Sequence, residues 1–152
     1  MADIHPIEAF FSSNHPMSEF VDADFAGSKG GKVIAKFTAC YAFVRDAESC
    51  ELHTGFLTIV LDSIMGGAVM GVLEKVQPIA TIGLSVHHLR RPQSGEKLTA
   101  RAECTKIFDD VAYITGEAHS AETGEPLALA SGTFMIGTRA TPIGDRAKES
   151  MI

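Results

Sequence analysis

The sequence is poor in the features that mark several large classes of protein. It has only three cysteines, Cys40, Cys50 and Cys104, with no Cys-x-x-Cys pair among them. An odd, widely spaced set of that kind supplies neither a disulfide framework nor a zinc knuckle, and reduced thiols of a cytoplasmic protein are the simplest reading. Positive charge is also in short supply, with 13 Lys and Arg against 19 Asp and Glu, a net charge of −6. A chain whose work is to hold a nucleic-acid backbone needs the opposite field, although a few local arginines can still bind phosphate on an acidic protein. The start, Met1-Ala2-Asp3-Ile4-His5-Pro6, has neither the basic residues nor the apolar run of a signal peptide. Internal repeats, low-complexity tracts and linkers are missing too, and 45% hydrophobic with 21% charged residues describes an ordinary globular chain. One domain over residues 1–152 is expected, with an N-terminal helix and connection over 1–31 and a flexible tail over 138–152.

One apolar run stands out. Residues 55–73 read GFLTIVLDSIMGGAVMGVL, nearly long enough to cross a bilayer. Asp62 lies in its middle, where an ionised group in lipid is costly, so a helix buried inside a domain is the better reading and no membrane partner is expected. Upstream, Ile4 to Phe11 suggest a short amphipathic helix, and Gly27-Ser28-Lys29-Gly30-Gly31 a turn that closes an irregular connection. Val33, Ala35, Phe37, Ala39, Tyr41 and Phe43 alternate as strand residues do. A polar loop follows from Arg45 to Leu52. After the helix, four strands are predicted: Ile79–Leu89, Lys97–Phe108, Val111–Ser120 and Leu127–Gly137. They are separated by Pro92-Gln93-Ser94-Gly95, Asp109-Asp110 and Glu122-Thr123-Gly124-Glu125. Such short breaks imply hairpins, hence a meander and a largely antiparallel sheet. A helix apolar nearly all round needs cover on most sides, and an antiparallel sheet curling around it supplies that cover. The glycines Gly66, Gly67 and Gly71 suit a backbone packed closely against a neighbour.

The chemistry concentrates in His53-Thr54-Gly55-Phe56-Leu57-Thr58-Ile59-Val60-Leu61-Asp62. A loop delivers His53 to a helix start, whose unpaired N–H groups and partial positive charge can stabilise an oxyanion. A carboxylate flanked by Val60, Leu61, Ile64 and Met65 is expected to be desolvated, and so a stronger base or nucleophile than a solvated one. The same Asp62 could instead cap a neighbouring loop or bond across a dimer seam. Thr54 and Asp62 are eight residues apart, roughly 12 Å along a helix. One thioester carbonyl cannot touch both groups of one helix, so cooperation between them requires a site shared by two subunits of a symmetric oligomer.

The pattern HTGFLTIVLDSIMGGAV, followed by TIGLSVHHLRRPQSGEKLTARAE and GEPLALASGTFMI, resembles the hotdog-fold acyl-CoA thioesterases of the phenylacetic-acid-pathway (PaaI) type over roughly residues 33–137. Family members carry His-Gly-Gly, an acidic residue nine positions after the His, a strand ending in Leu-Arg-Pro, and a turn of Gly, an acidic residue, any residue and Leu. His53 and Asp62 hold that spacing, and Arg91-Pro92 and Gly95-Glu96-Lys97-Leu98 match the later motifs. The resemblance implies an α+β hotdog fold, a long central helix wrapped by a five- to six-stranded antiparallel sheet. It also implies hydrolysis of acyl- or aryl-CoA esters by a homodimer or homotetramer, with Asp62 as general base or nucleophile. Thr81 falls where the family often has a Ser or Thr that orients water. The amide of the helix start, at Thr54 and Gly55, would be the oxyanion donor, with His53 fixing the loop. Arg90 and Arg91, with Lys97, Arg101 and Lys106 behind them, lie where CoA phosphates could be met; CoA belongs to the substrate, and no cofactor or metal is expected. Two positions depart from the pattern: Thr54 replaces the first motif glycine, and the loop before His53 has no Asn, leaving Asp46 and Ser49 as its nearest polar residues. A non-catalytic acyl-CoA-binding module is the alternative these departures favour. A hydratase or dehydratase would pair a catalytic His with an acid in another motif, and no such arrangement surrounds His53, His87 or His119. The adjacent His87 and His88 are expected to point to opposite faces of their strand, which rules out a chelating pair.

Overall fold

A computed structural model describes residues 23–75 and 77–138. The expected N-terminal helix, the phenylalanines Phe10, Phe11 and Phe20, and all of the expected tail except Thr138 lie outside these residues. Six strands, one long helix and a short 3-10 turn at Tyr41–Phe43 form the regular structure of the described residues. The strands are β1 (Ala23–Lys29), β2 (Lys32–Thr38), β3 (Ile79–His88), β4 (Lys97–Phe108), β5 (Val111–Ser120) and β6 (Pro126–Ile136). The helix, α1, spans Gly55–Met70 between β2 and β3. The strands form a single sheet in the order β1-β2-β4-β5-β6-β3, every neighbouring pair antiparallel.

The alternation read in the sequence is the alternation of the sheet faces. In β2, Val33, Ala35 and Phe37 are buried while Lys32, Ile34, Lys36 and Thr38 are exposed. Leu98, Ala100 and Ala102 of β4 and Ala112, Ile114 and Ala118 of β5 face the same interior. Most of these central residues are small, so the helix can lie close. A Cβ added to Gly116 would come within 3.0 Å of Met65 Sδ and 3.4 Å of Leu61 Cδ2. Buried along α1 are Phe56, Leu57, Val60, Leu61, Ile64, Met65, Gly66, Gly67, Ala68 and Val69. Gly55, Thr58, Ile59, Asp62 and Ser63, which recur every three or four residues, stay half-buried on a separate stripe, where Thr58 and Asp62 meet the edge strand β3. The sheet therefore covers most of the helix, as expected, and this second stripe is the part that the described residues leave half-buried.

Four features differ from the sequence reading. The alternation expected to run on to Phe43 as a strand stops at Thr38, and Tyr41–Phe43 form a short 3-10 turn in which Phe43 N–H donates to Cys40 O and Val44 N–H to Tyr41 O. Gly27-Ser28-Lys29 belongs to β1, with a bulge between Phe25 and Gly27, and the turn narrows to Gly30-Gly31 at φ of 58° and 77°. Bulges break alternation, which hid the strand. The helix ends at Met70, where Gly71 N–H donates to Gly67 O and Val72 N–H to Val69 O in a tightened last turn. The predicted four-strand meander is reduced to β4-β5-β6. β3 pairs with β6 over Ile79↔Ile136 to His88↔Ala128 and forms an edge of the sheet. The segment 89–96 is not a tight hairpin, because its polar groups go elsewhere: Leu89 and Arg90 N–H donate to Leu127 O, Gly95 N–H to Ala39 O and Ser94 N–H to Cys50 O.

Among the described residues no helix is long and apolar enough to cross a membrane. Leu61 is 0% exposed between helix and sheet. Leu61→Ala is expected to cost about 2–5 kcal/mol through lost contact and a residual cavity, read as a lower urea midpoint at unchanged slope.

Candidate active site

The loop before α1 is tied to itself. Val44 bridges Leu52, Cys50 N–H donates to Asp46 O, and Cys50 takes a left-handed φ of 54°. The Asp46 carboxylate accepts the N–H of Glu48 (3.2 Å) and of Ser49 (3.4 Å), bonds that hold its carboxyl below the ordinary value of 3.8. Ser49 Oγ in turn accepts Glu51 N–H. Asp46 and Ser49 are thus occupied within the loop. Its exit is fixed by His53 N–H, which donates to Phe43 O at 2.8 Å, and by the Phe43 ring tilted against Phe56 with centroids 5.1 Å apart.

At the helix start, Thr54 occupies the cap position at φ −59° and ψ −25°, without a side-chain capping bond. Gly55 N–H donates to His53 Nδ1 at 3.0 Å, so the imidazole orders the first turn. Phe56 N–H donates to His53 O, and Leu57 and Thr58 N–H to Thr54 O. The Thr54 N–H has no acceptor among the described residues. It combines an unused donor with the positive end of the helix dipole.

Two turns into the helix, Asp62 Oδ1 accepts a hydrogen bond from Thr81 Oγ1 at 2.9 Å. Thr81 stands beside a bulge at Thr81–Gly83 on the edge strand β3. The carboxylate is half-buried on the second stripe, whereas Val60, Leu61, Ile64 and Met65 all turn into the sheet. The expected apolar enclosure of Asp62 is therefore absent from the single chain: residues adjacent in sequence point around the helix, not toward one another. On the other end of β3, His88 Nε2 lies 3.4 Å from Thr58 Oγ1. Leu84 and Val86 are half-buried on the same face of the strand, and His87 takes the opposite face, as adjacent strand residues must. β3 thus runs from Asp62 at Thr81 back to the helix start at His88. The His88 contact has no signature in the sequence beyond a histidine at an alternate position.

Arg90 is engaged inside the chain. Its Nη1 and Nη2 donate to Glu96 Oε2 (3.1 Å) and Oε1 (2.6 Å), and its Nε is 3.0 Å from Glu125 Oε2, an ionic contact without good hydrogen-bond direction. Arg91 is looser, 3.7 Å from Glu51. Arg101 pairs with Glu117 at 3.6 Å, and Lys106 lies over the Phe108 ring. Glu96, met in the sequence only as part of a turn motif, is the residue whose importance the sequence hid. No cluster of three or more His, Cys, Asp or Glu able to hold a metal occurs among the described residues. A groove of about 520 Å³ runs over the outer sheet face between Lys32, Ile34, Arg101, Glu117 and Leu129, away from Asp62, Thr81 and Thr54.

With this geometry in place the family is clear: the chain belongs to the thioesterase superfamily, whose model matches residues 52–127. Its helix and six-stranded antiparallel sheet are the hotdog fold of that group. A thioesterase family protein from Silicibacter pomeroyi superposes with a TM-score of 0.74 at 24% identity, covering 86% of this chain and 94% of its own. A hypothetical thioesterase from Streptococcus pneumoniae, solved with coenzyme A, gives 0.73 at 19%, covering 86% and 98%. That protein was also solved as an aspartate-to-alanine and as a threonine-to-alanine mutant. The Escherichia coli PaaI protein of the phenylacetic acid degradation operon gives 0.73 at 16%, covering 84% and 88%. No curated protein sequence matches the chain.

Burial, and then the nearby charge of His53, lower the pKa of His88 from 6.5. The folded chain therefore releases this proton more readily than the unfolded one. The stabilising share of His88 is complete above pH 6.5 and declines as pH falls below it. A proton NMR titration is expected to place His88 below 6.5, and His53→Gln to move it upward; a midpoint at or above 6.5 would contradict the packing against Thr58.

Proposed function

We propose that this protein hydrolyses acyl- or aryl-CoA thioesters. The observation that carries the reading is the hydrogen bond from Thr81 Oγ1 to Asp62 Oδ1, on a helix stripe that the described residues leave half-buried. Bonded this way, the carboxylate keeps its second oxygen for a water or a thioester carbon, and acts as general base or nucleophile. Thr81 orients Asp62 and the attacking water. The S. pneumoniae relative, solved with coenzyme A and with an aspartate and a threonine separately replaced, supports attention to this pair of residue types. The oxyanion donor is Thr54 N–H, kept in register by the Gly55–His53 bond.

Because that donor sits roughly 12 Å from Asp62 along the helix, the working site takes Asp62 and Thr81 from one subunit and Thr54 of the partner subunit. The uncovered edge of β3 offers the seam. Its ten residues run from the Asp62 end of the helix at Thr81 to the helix start at His88. An antiparallel pairing of two β3 strands centred between these residues therefore brings each Asp62 toward the other chain's helix start. Arg91 is better placed than Arg90 to meet a CoA phosphate, since its only ionic partner among the described residues is the long contact to Glu51.

The absence of an amide side chain in the loop, with Asp46 and Ser49 engaged by the loop's own backbone, favours the second reading, a module that binds acyl-CoA without turnover. Thiol release from a panel of short, long and aromatic CoA esters separates the two. On the hydrolase reading, Asp62→Asn and Asp62→Ala are expected to lower turnover by roughly 100-fold or more without altering the circular dichroism spectrum. Unchanged turnover in both variants would remove Asp62 from the mechanism, and saturable CoA-ester binding without thiol release would leave the module.

A further inference from the structure

The segment that carries His53 and Thr54 to the head of α1 depends on a second loop for its far side. Leu52 N–H donates to Pro92 O at 2.9 Å, Ser94 N–H donates to Cys50 O at 2.9 Å, and Glu51 bridges Gln93. Every one of these contacts belongs to residues 92–94, and that stretch is organised around one carboxylate. Glu96 receives the two Nη groups of Arg90 and, through Oε2, Gln93 N–H at 2.9 Å. Arg90 Nη1 also donates to Arg91 O at 2.9 Å, so the fork clasps both ends of the loop. The pair is partly withdrawn from water, with the Glu96 side chain 14% and the Arg90 side chain 30% exposed. Burial by itself would raise the Glu96 carboxyl. The bonds from Arg90 and Gln93 outweigh burial, and the group is held below 4.5.

The geometry points to Arg90 and Glu96 as positioning residues for the proposed hydrolysis: their ion pair sets the 89–96 loop, and through Leu52 and Cys50 it sets where the Thr54 N–H is aimed. This rests on the reading of Thr54 as oxyanion donor. Leu52, fully buried and two residues before Thr54, is the point at which the second loop grips the first. Without the Glu96 charge, the two Nη groups of Arg90 lose their ionic partner in a half-dry place, only the outer Glu125 contact to Nε remains, and the loop loses its fixed shape. A displacement of about 1 Å at a reacting group can cost on the order of 100-fold in rate.

The test compares the wild type with Glu96→Gln, Arg90→Lys and Glu125→Gln by kcat and KM per folded molecule and by the ¹⁵N–¹H resonances of Thr54 and Gly55. Glu96→Gln is expected to lower kcat roughly ten- to hundredfold with little change in KM, and to shift both amide resonances. Arg90→Lys keeps the charge but loses the fork, so it changes both readouts in the same direction by less; it decides the matter if Glu96→Gln does not fold. Glu125→Gln removes only the outer contact to Nε and leaves kcat unchanged. An undiminished kcat in an active enzyme, or unmoved Thr54 and Gly55 resonances, overturns the inference. If the wild type releases no thiol, the hydrolase reading falls, and the amide shifts still judge the coupling on their own.

Discussion

The closeness of α1 to the sheet governs everything else in this molecule. Alanines and glycines in the middle of β4, β5 and β6 let Leu61 and Met65 press against the strand backbone, as the contact at Gly116 shows. A helix held that tightly on one side cannot rotate without forcing Asp62 into the apolar layer or exposing Leu57 and Ile64, and either is costly. Packing thereby dictates the direction in which the only acid of the helix points. The chemistry inherits an orientation that was settled by dispersion and hydrophobic burial.

On the proposed reading, one chain presents two half-sites. Asp62 with Thr81 makes one, and the helix head with Thr54, His53 and His88 makes the other. They lie at opposite ends of the same strand, which is the arrangement that a two-fold axis through that strand can reconcile. The proposed division of the site between two subunits needs no insertion or extra domain. It needs only that the strand stay at the edge of its own sheet, and β6 accomplishes this by taking β3 on its outer side.

How much of this was legible in the sequence follows from how local each determinant is. The strands β2, β4 and β5 were readable because alternation is a property of neighbouring residues, and the helix because Asp62 interrupts an apolar run that no membrane would favour. The eight-residue spacing of Thr54 and Asp62, which motivates the proposed division of the site between subunits, is likewise a local property of the chain. β1 escaped because its bulge breaks the two-residue period, and the place of β3 escaped because the partner of a strand is chosen by the whole sheet. The enclosure expected around Asp62 failed for a related reason: Val60 and Leu61 are its neighbours along the chain but not across the helix surface. Likewise Arg90 looked available for phosphate until the fold brought Glu96 and Glu125 to it.

The bulge at Thr81–Gly83 has a further effect. A strand edge with regular spacing would accept almost any extended segment that came near it. Here Ile82, 54% exposed, is looped out of step and interrupts the ladder beside Thr81. A visiting strand must carry a matching irregularity at the matching place, or forgo its bonds there. The feature that stands beside the threonine and its acid thus also narrows what the edge can pair with.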